Sequence, residues 1–157
     1  MAKHTISVLV ENHPGVLSKV SGLFSRRGFN IDSLAVGVTE NPDISRMTIV
    51  VDGDDYTVEQ VSKQLNKLVD IIKLKQLVPS ESIDREFVMM KVNANNSTRA
   101  EIMQIVEIFR GNIVDISKST LTVEISGNVN KIEALEEMLR QFGIREIASP
   151  RAPAPIA

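Results

Sequence analysis

A chain of 157 residues has room for one ordinary domain or two small ones, with enough core to need no covalent staples. Cysteine is absent, which excludes a disulfide framework, a thiolate nucleophile and a thiolate metal site. A formal net charge of -2 and only 4% aromatic residues, with no basic aromatic stripe to stack bases, argue against general nucleic-acid binding.

In chain order, Ile6, Val8 and Val10 alternate as one face of a strand over residues 3–11. Residues 11–17 then read ENHPGVL. Pro14 suits a first helical turn, because its fixed φ fits there and its missing N–H would be unpaired anyway. Gly15 adds no side chain, so the amides of that turn stay reachable. Val16, Leu17, Val20, Leu23 and Phe24 recur on one face of a helix over residues 14–27, and Gly28 stands where a helix ends. Asn30 leads into the next strand.

An open helix start carries unpaired donors and partial positive charge, which together attract a carboxylate or phosphate. The other helix starts predict self-satisfaction: Thr57 with Gln60, Thr98 with Glu101 and Asn130 with Glu133 fit or approximate the capping-box spacing. Neither Asn12 nor His13 has such a partner, since the residue three further on is Gly15 or Val16. On local pattern alone, a small-anion site and a plain tight strand-to-helix turn fit Asn12, Pro14 and Gly15 equally well.

Beyond Gly28, Leu34, Val36 and Val38 alternate, Asn41-Pro42-Asp43 makes a turn, and Met47, Ile49 and Val51 alternate again, a hairpin. Val58, Val61, Leu65 and Leu68 mark a second helix, and residues 69–78 form an apolar strand. Residues 79–83 fall in a polar stretch that reads as a linker. The order then recurs: Val88, Met90 and Val92 in a strand; Ile102, Ile105, Val106 and Phe109 in a helix closed by Gly111; a hairpin around Lys118-Ser119-Thr120; Ile132, Leu135, Met138 and Leu139 in a last helix; and a strand at 143–148. The class is α+β, two ferredoxin-like βαββαβ units in tandem. The expected boundaries are 1–78, a linker at 79–83, a second unit at 84–150 and a flexible tail at 151–157. The apolar runs are far too short to span a bilayer, and residues 1–5 are no signal peptide, so a soluble cytoplasmic protein is expected.

Such units cover one sheet face only, and the strand at 31–38 includes the small residues Ala35 and Gly37, suited to close approach of a second chain. An oligomer is therefore expected; mutual covering of the two halves is the competing arrangement. Catalytic constellations are scarce. His4 and His13 lack a neighbouring nucleophile arrangement, Asp52, Asp54 and Asp55 lack the remaining ligand spacing of a calcium loop, and no phosphate-cradling glycine motif is present.

Residues 7–17 (SVLVENHPGVL), residues 23–34 (LFSRRGFNIDSL) and Ile113-Val114-Asp115 carry a resemblance. Residues 4–78 look like an ACT domain, and the whole chain resembles the family of small regulatory subunits of acetolactate synthase, also called acetohydroxyacid synthase. The resemblance implies a non-catalytic chain with no cofactor of its own. Its partner would be a large catalytic subunit holding thiamine diphosphate, magnesium and FAD, which it activates and subjects to feedback inhibition. It implies a homodimer paired through ACT domains, with L-valine, or isoleucine or leucine, bound where the protomers meet. The effector-binding residues would be Asn12, His13, Pro14, Gly15, Val16 and Leu17 of one chain and Asn30 and Ile31 of the other. No metal site, nucleic acid or membrane is implied. A free-standing ACT regulator of another pathway and an enzyme on ferredoxin-like repeats are the competing classes.

Overall fold

The computed structural model describes residues 2–149 and the backbone of 154–155. The chain divides into two compact units, with the boundary between Ile83 and Asp84. The first unit runs β1 (Lys3–Glu11), α1 (Val16–Arg27), β2 (Ile31–Val38), β3 (Ile44–Asp52), α2 (Asp55–Asn66) and β4 (Ile71–Leu77). Its four strands form an antiparallel sheet in the order β2-β3-β1-β4. Val8 stands opposite Met47 on one side and Leu74 on the other.

The period-two pattern puts Ile6, Val8, Val10, Met47, Ile49 and Val51 into one core with Val16, Val20 and Phe24 of α1 and Val58, Val61 and Leu65 of α2. Both helices therefore cover the same sheet face. Phe24, 1% exposed, meets Phe29 edge to face at 6.2 Å between ring centroids. Because β1 is a central strand, the turn that leaves it at Glu11 is flanked by chain on both sides.

Residues 79–83 hold a single 3-10 turn, Pro79–Glu81, and a two-residue strand β5, Ser82–Ile83. The second unit repeats the order: β6 (Glu86–Asn93), α3 (Arg99–Ile108), β7 (Asn112–Ile116), β8 (Thr120–Gly127), α4 (Val129–Arg140) and β9 (Ile144–Ala148). Its sheet order is β7-β8-β6-β9, and Val88, Met90, Val92, Leu121 and Ile125 pack against Ile102, Leu135 and Leu139. The predicted tandem βαββαβ plan is the observed one. Of the tail expected at 151–157, only Ala154–Pro155 lies within the described residues, where it is extended. No helix among the described residues is long and apolar enough to cross a membrane.

Four local expectations need correction. The side-chain cap of α2 is Asp54, which accepts from the Thr57 amide at 2.8 Å, and that of α4 is Asn128, which accepts from Lys131 at 2.9 Å. The helices thus begin earlier than Thr57 and Asn130 suggest, because Asp54 and Asn128 hold the extended backbone that a cap requires while Thr57 and Asn130 lie inside the helices. Thr98 does occupy the cap position of α3 but makes no side-chain cap bond. The chain after α3 reverses at Arg110, with φ 59, and not at Gly111. Gly111 is needed for a different reason: a Cβ there would sit 3.0 Å from the Glu124 carbonyl of β8.

Candidate functional site

The turn from β1 to α1 is built from Gly15. It caps α1 in the left-handed region at φ 91, and no side chain closes the helix start. Pro14 accordingly lies one residue outside the cap and not in the first helical turn, since the Gly15 conformation interrupts the helix between them. Lys19 N donates to Gly15 O at 3.0 Å, the first helical bond. The amides of Val16, Leu17 and Ser18 have no acceptor among the described residues. A Cβ at Gly15 would meet nothing within 4 Å, so the space in front of the turn is open.

The other starts contrast with it. Asp54 and Asn128 close α2 and α4, and ahead of α3 the Asn95 side-chain oxygen accepts from the amides of Ser97 at 2.9 Å and Thr98 at 3.0 Å. α1 is left with three free donors and no acidic residue in its first turn.

The root of the turn is anchored on two sides. Asn12 N donates to Asp43 O at 2.8 Å, and the Asn12 side-chain amide donates to Pro42 O at 2.8 Å, both in the β2–β3 hairpin. Glu11 N donates to Asp70 O at 3.0 Å, just ahead of β4. The Asp70 side chain, 9% exposed, lies between two basic side chains: Lys19 Nζ is 2.9 Å from Oδ2 and His13 Nε2 is 2.8 Å from Oδ1. The Lys19 ammonium, with the His13 contact behind it, holds the Asp70 carboxyl below its usual value.

His13 Nδ1 lies 3.2 Å from Pro14 O, and Nε2 lies 3.2 Å from Glu11 Oε2. The Pro14 carbonyl foremost, then the Asp70 and Glu11 carboxylates, raise the His13 value above 6.5 against a smaller desolvation. Glu11, His13 and Asp70 bring three potential metal-ligand atoms within 4.8 Å of one another. Lys19 Nζ, 2.9 Å from Asp70 Oδ2, already pairs with one of these carboxylates.

Asn12, His13, Pro14, Gly15 and Leu17 are exposed together at this turn, whereas the Val16 side chain is 3% exposed and packs in the core. Val16 therefore offers its amide and not its side chain. Asn30 is exposed and Ile31 is partly packed on the core, both beyond the far end of α1. Twelve helical residues span about 18 Å, so one protomer does not bring these two to the turn. Lys19 and Asp70 are absent from the sequence-based site, because nothing in the local pattern pairs a position before β4 with one after β1.

Comparisons with known proteins agree along the whole chain. A family model described as the AHAS small subunit-like ACT domain matches residues 6–73, and one described as the small subunit of acetolactate synthase matches residues 85–149. A probable acetolactate synthase small subunit of Methanothermobacter thermautotrophicus is 55% identical over 146 residues, covering 92% of this chain and 87% of the relative. The acetolactate synthase small subunit of Mycobacterium bovis is 54% identical over 145 residues, covering 92% and 86%. The crystal structure of the acetolactate synthase small subunit from Thermotoga maritima is 42% identical with a TM-score of 0.91, over 99% of this chain and 98% of that one. The chain belongs to the acetolactate synthase small-subunit family, which is regulatory and not catalytic, and its first unit is an ACT domain.

Proposed function

We propose that this chain activates the catalytic subunit of acetolactate synthase and makes it subject to feedback inhibition by L-valine, or by isoleucine or leucine. Thiamine diphosphate, magnesium and FAD belong to that large subunit. Two copies of this chain pair through their ACT domains, and the effector binds where they meet. The observation that carries the reading is the start of α1, with three unpartnered amides following Gly15 at an exposed turn. Those amides take the effector carboxylate. The Asn12 and Asn30 side-chain oxygens, from different copies, accept from its ammonium, and Leu17 and Ile31 shelter the aliphatic side chain.

Pairing is supported by β2, an edge strand that leaves Leu34, Val36 and Val38 at 37%, 48% and 61% exposure. An effector bound between copies acts only through its preference for one arrangement of the pair. Valine stabilises the arrangement that supports the catalytic subunit less well. The test is the activity of the reconstituted complex under saturating valine, leucine or isoleucine; no response to any of the three would overturn the reading. The second unit contributes contacts to the catalytic subunit, so truncation after Ile83 is expected to reduce activation.

A further inference from the structure

Four charged groups meet at the root of the open turn, and their hydrogen-bonding inventory decides the state of one of them. A carbonyl oxygen and a carboxylate offer only lone pairs. His13 faces the Pro14 carbonyl through Nδ1 and the Asp70 and Glu11 carboxylates through Nε2. A neutral ring can donate through only one of these nitrogens, so the imidazolium is the form that satisfies both contacts at once. Charge favours the same form: Glu11 from β1 and Asp70 from the turn before β4 face one fixed cation, Lys19 from α1, and a proton on His13 supplies the second.

We propose that Asp70 is the positioning residue of the effector turn, holding His13 as an imidazolium that ties residues 11–15 to the start of β4, so that effector binding weakens as His13 loses its proton. This rests on the effector reading above. Asp70 does this rather than Glu11 because its side chain is 9% exposed against 54% for Glu11, and its backbone oxygen also takes the Glu11 amide. A neutral ring keeps one proton and loses either the Pro14 or the carboxylate contact. Loss of the Pro14 contact frees the residue next to Gly15. The lost proton also leaves one carboxylate uncompensated beside the helix start, where it opposes the effector's own carboxylate.

The test follows the His13 ring and the Gly15 amide by NMR from about pH 6 to about pH 8.5, where histidine changes charge. It uses the full chain, Asp70→Asn and His13→Gln, with L-valine calorimetry at both ends of the range. The expected result is a His13 midpoint above the ordinary value, lowered in Asp70→Asn, with the Gly15 amide following the same titration. Valine affinity should weaken severalfold with rising pH in the wild type, weaken at lower pH in Asp70→Asn, and be weaker at low pH and flat in His13→Gln. A His13 midpoint at the ordinary value, unmoved by Asp70→Asn, would overturn the proposal, as would valine affinity that is independent of pH in the wild type. Absence of valine binding at any pH would overturn the effector reading instead, leaving the His13 and Gly15 titrations to decide the role of Asp70.

Discussion

The side-chain amide of Asn12 donates to the carbonyl of Pro42, 30 residues further along the chain, at 2.8 Å. A carbonyl only accepts, so this contact fixes which end of the Asn12 amide faces the hairpin and leaves Oδ1 for other use. In the proposed effector site, that acceptor takes the ammonium and the amides behind Gly15 take the carboxylate.

Asn12→Ala removes that acceptor and the tie to the hairpin. One hydrogen bond to a charged group is worth about 1.5–3 kcal/mol, so valine affinity is expected to fall at least about tenfold. Calorimetry on the purified chain measures this directly.

Gly15→Asp places a fixed carboxylate where the ligand's belongs. The added side chain meets open space, and Asp tolerates φ 91 better than most residues, so folding should survive at a cost of about 1–2 kcal/mol. Activation of the catalytic subunit should be retained and valine inhibition lost. Gly15→Ala carries the backbone strain without the carboxylate and should keep more of the inhibition. Normal valine inhibition in Gly15→Asp would move the site elsewhere.

Stability should depend on pH through the same turn. The His13 value is raised from 6.5, so its contribution is complete below that pH and is lost as pH climbs through the folded-state value. The Asp70 value is lowered from 3.8, so its contribution is complete above that pH and is lost as pH falls through the folded-state value. The network is whole between those limits. The urea midpoints of wild type and His13→Gln should differ within that window and converge on its alkaline side; a constant difference at every pH would contradict the assignment.

Val36→Asp tests the pairing edge. Val36 is 48% exposed on β2, so the charge should cost the isolated fold little while placing like charges across a two-fold contact. Sedimentation is expected to show a lighter species with unchanged secondary structure.

The element order was legible because Ile6, Val8 and Val10 follow a period of two and Val16, Val20, Leu23 and Phe24 a period near 3.6, patterns that burial enforces. The open start of α1 was legible too, because Gly15 and Val16 cannot reach back as a capping Glu would. What local pattern missed was long-range or conformational. Lys19 and Asp70 meet at a separation of 51 residues, which no periodicity encodes. Periodicity sets Leu17 on the same apolar face as Val16, yet Leu17 is 46% exposed while Val16 is buried, because one residue of helix rotates the side chain off the core. Asp54 and Asn128 displace Thr57 and Asn130 as caps because helix starts turn on one residue's φ and ψ, which composition leaves open.

The central claim is most directly tested by titrating the purified chain with L-valine in a calorimeter, with pyruvate and a nucleotide as controls and the oligomer mass measured in parallel. Saturable valine binding by an oligomer, with neither control binding, is the predicted result. A chain that binds none of valine, isoleucine and leucine would contradict it, leaving the family and fold intact but the open turn without its effector.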